Sequence, residues 1–186
     1  MICIDQLGIS QTTMASIAKR VGVSQGVVVF HFQSKEALLE KVLQSLSLEY
    51  SACWQSAMEK ADSEPLDQLH ALVKAVFTPV ICNRKKISVW YAFWGESRSR
   101  PRYRQLCGQL DQQFSQTLLT ICEQLASKRE ARLSAQTAAL SIEGMIDGLW
   151  QNFLIGEPGF KRQQAIEAIF ELLEAIYPEQ KTIIID

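Results

Sequence analysis

Apolar positions in this chain recur mostly three and four residues apart, the spacing that lines one face of a helix. From 34 to 59 they are Leu38, Leu39, Val42, Leu46, Cys53, Trp54 and Ala57, with Ser34 placed to cap the segment. Ala61–Pro65 reads as a loop, with Pro65 in the first turn of a helix carrying Leu69, Leu72, Val73, Val76, Phe77 and Val80. Asn83-Arg84-Lys85-Lys86 is a polar break before a short helix with Trp90, Tyr91, Phe93 and Trp94, which Gly95 to Pro101 ends. Residues 102–126 carry Leu106, Leu110, Phe114, Leu118, Ile121, Cys122 and Leu125 at helical spacing. Residues 131–155 carry Ala135, Ala138, Ala139, Ile142, Met145, Ile146, Leu149 and Phe153. Ser127-Lys128-Arg129-Glu130 has capping-box spacing and is expected to start that helix. Gly156-Glu157-Pro158-Gly159 reads as a turn, and a last helix at 160–176 stops before Pro178. Thr182–Ile185 has β-like composition but no partner run. The pattern predicts an all-α protein.

One stretch resists this pattern. Val27-Val28-Val29-Phe30-His31-Phe32 has the composition of a buried strand. A lone strand in a helical chain would leave its backbone groups unpaired. The flanking residues favour a helix. Thr12 or Thr13 can cap a short helix over Ala15–Val21, Gly22 suits the left-handed residue that ends it, and Ser24 can cap a second helix after a tight turn. Ala18 is small enough to let the two helices cross closely, and Ile17, Val23 and Val28 fall where they can pack between them. Three valines cost a helix about 0.5 kcal/mol each relative to alanine, which such packing can offset. This is the spacing of a helix-turn-helix, with Val28 inward and Gln25 outward.

Composition adds mainly exclusions. The 186 residues, 47% apolar and 21% charged, suit an ordinary globular chain with a sizeable core. No run approaches a membrane span, and Met1-Ile2-Cys3-Ile4-Asp5 lacks a basic n-region, so a cytoplasmic protein without membrane contact is expected. Cys3, Cys53, Cys82, Cys107 and Cys122 are scattered without a C-x-x-C, which argues against a disulfide framework or a zinc site and for reduced, mostly buried thiols. With only His31 and His70, a His-rich metal site is not expected. Net charge is −1; residues 1–45 carry Lys19, Arg20, Lys35 and Lys41 against Asp5, Glu36 and Glu40, so charge alone does not point to nucleic acid. There is no nucleophile elbow, phosphate loop or metal-ligand spacing, and the carboxylates Glu143 and Asp147 share one helix. No catalytic residue, cofactor or metal is expected.

Thr12-Thr13-x3-Ile17-Ala18-x3-Gly22-Val23-Ser24-x-Gly26, followed by Phe30-His31-Phe32-x-Ser34-Lys35-Glu36-x-Leu38-Leu39, resembles the N-terminal domain of TetR-family transcriptional repressors. The resemblance implies a nine-helix plan with a three-helix DNA-binding head at 1–45, a ligand-binding and dimerisation body at 46–178, and a tail at 179–186. It implies double-stranded DNA and a small-molecule effector as partners, and a homodimer built on helices 131–155 and 160–176. The family's first helix normally begins further upstream and carries basic residues, so a short or truncated first helix is expected. In a recognition helix the N-terminal residues meet base edges. Here these are Gln25, which suits adenine, Gly26, and Val27, which suits a thymine methyl. Thr13, Ser24, Phe30, His31 and Lys35 are the expected backbone contacts, and Val29 stands where a tyrosine often meets phosphate. The bland alternatives are a packed surface histidine at His31 and a solvated lysine at Lys35.

The remaining candidates are aromatic and acidic. Trp90-Tyr91-x-Phe93-Trp94 packs four aromatics into five residues, with Trp90 and Trp94 on one helical face. Glu143, Asp147 and Trp150 follow one another a turn apart, and Trp54 and Phe77 can join from other helices. Such a set suits a cation, since a quaternary ammonium sits well on tryptophan faces. Trp90-Tyr91-Ala92-Phe93-Trp94 and Ile146-Asp147-Gly148-Leu149-Trp150 also look similar to the C-terminal domain of choline-responsive repressors of the BetI type. The alternative is that these aromatics fill the core. Two functions are open: a ligand-responsive DNA-binding regulator, and a helical ligand- or partner-binding protein that has lost DNA recognition.

Overall fold

The computed structural model describes residues 1–156 and 159–178, without the side chains of 107 and 109–111. Periodicity becomes helix throughout: α1 (Ile2–Gln11), α2 (Met14–Val21), α3 (Gln25–Phe32), α4 (Lys35–Lys60), α5 (Pro65–Val76), α6 (Arg84–Ser97), α7 (Pro101–Lys128), α8 (Ala135–Ile155) and α9 (Arg162–Ile176). No strand occurs among the described residues. Leu110 and Cys107, Glu157 and Pro158 of the expected turn, and the tail at 179–186 lie outside what is described.

Packing divides the chain into two compact units that do not follow sequence order. The first holds Met1–Ser51 and Asn83–Asp111; the second holds Ala52–Cys82 and Gln112–Asp186. The long helices α4 and α7 are each continuous through the boundary residues. A cut at residue 45 by role and this cut by packing are different divisions of the same chain.

The valine-rich hexapeptide is helical. Thr13 caps α2 through a reciprocal pair: its hydroxyl accepts from the Ser16 amide at 3.0 Å, and its own amide donates to Ser16 Oγ at 3.0 Å. Gly22 ends α2 in the left-handed region, φ 74° and ψ 29°, where a side chain would be strained. The amides of Gly22 and Val23 both donate to the Ala18 carbonyl. Ser24 then caps α3 by accepting from the Val27 amide. Ala18, Val28 and Leu38 form a buried cluster, with Met14, Ile17, Phe32 and Val42 packed against it. Burying a valine or leucine is worth about 1.5–3 kcal/mol, more than the helix cost of the valines. Val23 departs from expectation. It is exposed, because it follows the left-handed Gly22 within the turn and leaves the gap between α2 and α3 to Ile17 and Val28.

Other boundaries differ from the expected ones: Arg84, Lys85 and Lys86 form the first turn of α6, capped by Asn83, and α6 runs through Gly95 to Ser97. Ser127 does not start α8. Buried Leu125 holds the end of α7 helical as far as Lys128, and Ser127 Oγ donates back to the Gln124 carbonyl at 2.7 Å. Ser134 caps α8 instead, accepting from the Thr137 amide at 3.2 Å. Similarly, α5 stops at Val76: Phe77 is its buried C-cap residue, and Val80 lies beyond it and is exposed. Cys82 and Cys122 are buried, Cys3 and Cys53 half-buried, and all four are free thiols. Burial pushes the Cys82 thiol up to about 12, so it stays protonated and unreactive at neutral pH.

A strained residue joins α3 to α4. Gln33 sits at φ 62°, ψ −44°, and the Ser34 amide donates to the Phe32 carbonyl at 2.7 Å across it. This is a γ-turn of the positive-φ kind, which strains any residue with a Cβ. Gln33→Gly is therefore expected to raise stability by about 1 kcal/mol, the relieved strain exceeding glycine's entropic cost. Urea unfolding of the two proteins measures it; an unchanged or lower midpoint contradicts the strain.

Candidate functional site

The helix-turn-helix lies within the first unit. Gln25, Gly26 and Val27 occupy the first turn of α3 and are exposed, as are Val29, Phe30 and His31 further along it. Phe30 is 82% exposed, and its ring meets His31 edge-on at 5.5 Å. Thr13 and Ser24 are exposed caps at the starts of α2 and α3, where unpaired amides and the helix dipole favour an anion. Lys35 is half-buried, and its Nζ donates to the Ser10 carbonyl at 3.0 Å near the end of α1. That bond was not legible in sequence, since 25 residues separate the partners. The surface of α3 is unusually apolar for a helix facing solvent, with Val27, Val29 and Phe30 all exposed.

The aromatic run of α6 gathers partners in the same unit. Trp90 is buried; its ring lies 6.4 Å from Tyr50 of α4, edge-on, and 6.1 Å from Trp94. Tyr91 meets Trp94 edge-on at 5.0 Å. Phe93 packs edge-on against Tyr103 of α7 at 5.2 Å. Three buried hydroxyls of this unit, Ser47 and Ser51 of α4 and Tyr103, have no hydrogen-bond partner among the described residues. Sequence reading missed Tyr50, Ser47, Ser51 and Tyr103. The two serines stand four apart on the apolar face of α4, which is a weak but readable signal.

The second unit holds the other candidates. Trp54 is buried edge-on against Phe114 of α7 at 5.9 Å, and its indole N–H has no acceptor among the described residues. The next residue of α7, Ser115, donates to Glu143 of α8 at 2.7 Å. Asp147 and Trp150 follow Glu143 on α8; Trp150 is buried and Asp147 reaches solvent. Trp54 and Glu143 thus both meet α7, at the neighbouring residues Phe114 and Ser115, whereas Phe77 is buried at the end of α5. His70 packs on Phe170 at 4.2 Å, and burial, assisted by Lys74, lowers its basicity. Among the described residues no three His, Cys, Asp or Glu gather as a metal site, and no helix is long and apolar enough to cross a membrane.

Asp147 is the most perturbed carboxyl on α8. Surrounding protein atoms desolvate it even though one side stays wet, and the charge of Glu143 adds to the effect, so it is pushed up to about 6. A raised carboxyl binds more protons folded than unfolded between its ordinary value and about 6, so its ionisation costs stability as pH rises through that window. Asp147→Asn is therefore expected to raise the melting temperature at pH 8, with the gain shrinking to nothing below about pH 4, the ordinary carboxylate range. Melting curves of both proteins across pH check this; a gain that is the same at every pH contradicts it.

Residues 2–42 match the model of bacterial regulatory proteins of the tetR family, and residues 65–178 match that of the BetI-type transcriptional repressor C-terminal domain. The chain belongs to the TetR family. Its body is of the BetI type, and it is a DNA-binding transcriptional regulator, not an enzyme. The HTH-type transcriptional regulator BetI of Paraburkholderia xenovorans is 31% identical over 180 residues, which is 95% of this chain and 88% of that protein. The BetI regulator of Stenotrophomonas maltophilia is 33% identical over 147 residues, 79% of this chain and 73% of that protein. Among solved structures, a transcriptional regulator from Saccharomonospora viridis in complex with choline superposes with a TM-score of 0.82 at 22% identity, covering 95% of this chain and 93% of that one. At that identity the likeness bears on the TetR fold alone.

Proposed function

We propose that this TetR-family chain is a homodimeric repressor released from a pseudo-palindromic operator by a small cationic amine. The carrying observation is the acid and aromatic arrangement of the second unit: Trp54 against Phe114, Ser115 on Glu143, and the strained charge of Asp147 one turn further along α8. A cation there meets tryptophan faces and relieves the repulsion between two carboxylates. The Saccharomonospora viridis regulator holding choline and the relatives named BetI support a quaternary ammonium as the ligand class. Trp150 adds a buried indole to this region. Trp90, Tyr91 and Trp94 form a separate aromatic cluster in the first unit whose ring faces also suit a cation, and the two roles are read apart by separate alanine variants.

At the operator, Gln25, Gly26 and Val27 read bases, and Thr13, Ser24, Val29, Phe30 and His31 meet the backbone. Lys35 spends one of its three ammonium donors on Ser10, which leaves two for a phosphate. A partner chain docks through α8 and α9, since one head offers few contacts. Ligand binding biases α4, which runs from Lys35, just after the recognition helix, to Lys60, and the two heads leave their half-site register. The expected setting is the cytoplasm, where the DNA is.

Footprinting of the DNA flanking its own gene tests the reading, with choline, its uncharged carbon isostere, or neither. Protection of two half-sites that choline removes and the isostere leaves is expected. Protection that neither compound alters rejects the amine, and no protection rejects the operator. On the same DNA, Lys35→Ala is expected to flatten the log–log salt dependence of dimer binding by about two, one for each head. An unchanged slope confines Lys35 to its bond with Ser10.

A further inference from the structure

Charge is divided between the two units in a way that sequence order hides. The first unit carries eleven lysines and arginines against six aspartates and glutamates, a formal charge of +5; the second carries eight against fourteen, or −6. The helix-turn-helix segment does not supply the excess. Residues 1–51 hold four cations and four carboxylates, whereas residues 83–111 hold seven cations and two carboxylates. A protein that neutralises phosphates needs such an excess on the side that meets them, and here packing brings it from α6 and α7.

Four of those seven are arginines at alternate positions across the α6–α7 corner: Arg98, Arg100, Arg102 and Arg104. Two of them fasten the corner to α4. Arg100 lies between Glu96, at 3.1 Å, and Glu36, at 3.9 Å, and Arg102 bonds to Glu40 at 3.5 Å. Glu36 and Glu40 stand in the first turns of α4, just after the recognition helix. Lys86, in the first turn of α6, pairs with Glu49 further along α4. The corner is therefore the end of α6 beside the start of α4, and Arg84 and Lys85 lie at the other end. Arg98 and Arg104 are exposed, and neither side chain has a hydrogen bond or ion pair among the described residues. Arg102 and Arg104 also add positive charge to the first turn of α7, which holds no acid and where the helix dipole already favours an anion.

We propose that this corner is a second DNA contact of the protein, outside the helix-turn-helix. Arg98 and Arg104 hold backbone phosphates of the duplex beyond the half-site that α3 reads, and Arg100 and Arg102 fix the corner in place through Glu36 and Glu40. The proposal rests on the reading of α3 as the helix that enters the groove. Phosphate contacts carry no base information, so the corner adds affinity at every sequence and leaves base choice to α3.

Binding of the full chain to operator DNA and to an unrelated duplex, each titrated across salt concentrations, tests the contact. Arg98→Gln with Arg104→Gln is expected to flatten the log–log salt dependence of the proposed dimer by about four, two for each head. It is expected to weaken binding to the operator and to the unrelated duplex by the same factor. Arg98→Lys with Arg104→Lys keeps the slope, since a lysine also neutralises a phosphate. Arg84→Gln with Lys85→Gln removes the same charge at the far end of α6 and is expected to leave the slope unchanged. In hydroxyl-radical footprints the Arg98→Gln and Arg104→Gln protein loses protection only outside each half-site. Both positions are exposed, so its melting temperature stays close to that of the wild type. An unchanged slope, or an equal loss with Arg84→Gln and Lys85→Gln, overturns the corner and leaves the role of α3 intact. A flattened slope beside Gln25→Ala and Val27→Ala proteins that choose bases like the wild type keeps the corner and overturns the reading of α3 instead.

Discussion

Val28→Asp is expected to abolish operator binding and unfold the packing of the head, while Val27→Ala, one position earlier on the same helix, leaves the fold intact and only loosens operator choice. Val28 is 5% exposed and shares a cluster with Ala18 and Leu38, against which Met14, Ile17, Phe32 and Val42 pack, all of them apolar. An unpaired buried charge costs at least several kcal/mol, a large part of the 5–15 kcal/mol that keeps a domain folded. The short helices α2 and α3 have little else to hold their crossing. Val27 is 44% exposed, and substitutions at such positions shift stability by about 0.5 kcal/mol or less. Loss of its methyl groups is felt only where a thymine faces it, at a cost of about 1 kcal/mol. Thermal melts and quantitative footprinting on operators varied at one base pair measure both. Val28→Asp that binds like wild type, or Val27→Ala that lowers the melting temperature as much, contradicts the assignment of inner and outer faces.

This contrast also shows what the sequence makes legible. The hexapeptide looks like a strand by composition, and its helical state is set by residues outside it: Gly22, whose left-handed turn needs no side chain, and the capping hydroxyls of Thr13 and Ser24. Those signals are local, so they can be read. Val23 could not be placed the same way, because whether a residue beside a turn packs or points to water depends on the angle at which the chain leaves it. The start of α8 was ambiguous for a related reason. Ser127 and Ser134 both have the chemistry of a cap, and the burial of Leu125, a tertiary fact, decides between them. The tryptophans and acids of the candidate effector region were visible one by one. Their neighbours were not: Phe114 reaches Trp54 across 60 residues and Ser115 reaches Glu143 across 28, and no periodicity encodes such pairings. The γ-turn at Gln33 left no trace either, since glutamine is not a residue that positive φ selects.

Leu140→Glu combined with Ile155→Glu is expected to convert the proposed dimer to monomers and to cut operator affinity about 100-fold or more, the effective-concentration advantage that two linked heads enjoy. These are the most exposed large apolar residues of α8, at 73% and 71%, and a separation of 15 positions returns them to nearly the same side of the helix. Gly144 and Gly148 lie between them with open space where a side chain would stand, so a second helix can approach the backbone closely, and Asp147 borders the strip. In an isologous contact each side chain is used twice, so the double variant removes four buried apolar groups and sets four like charges against one another. Because both positions are exposed in the single chain, its helix content and melting temperature measured at dilution are expected to stay close to the wild-type values. Leu48→Glu serves as the control: Leu48 is 64% exposed on α4, in the first unit, and its replacement is expected to leave the proposed dimer whole. Sedimentation equilibrium separates the cases. A dimer that survives the α8 variant, or dissociates with Leu48→Glu instead, moves the partner's docking face off α8.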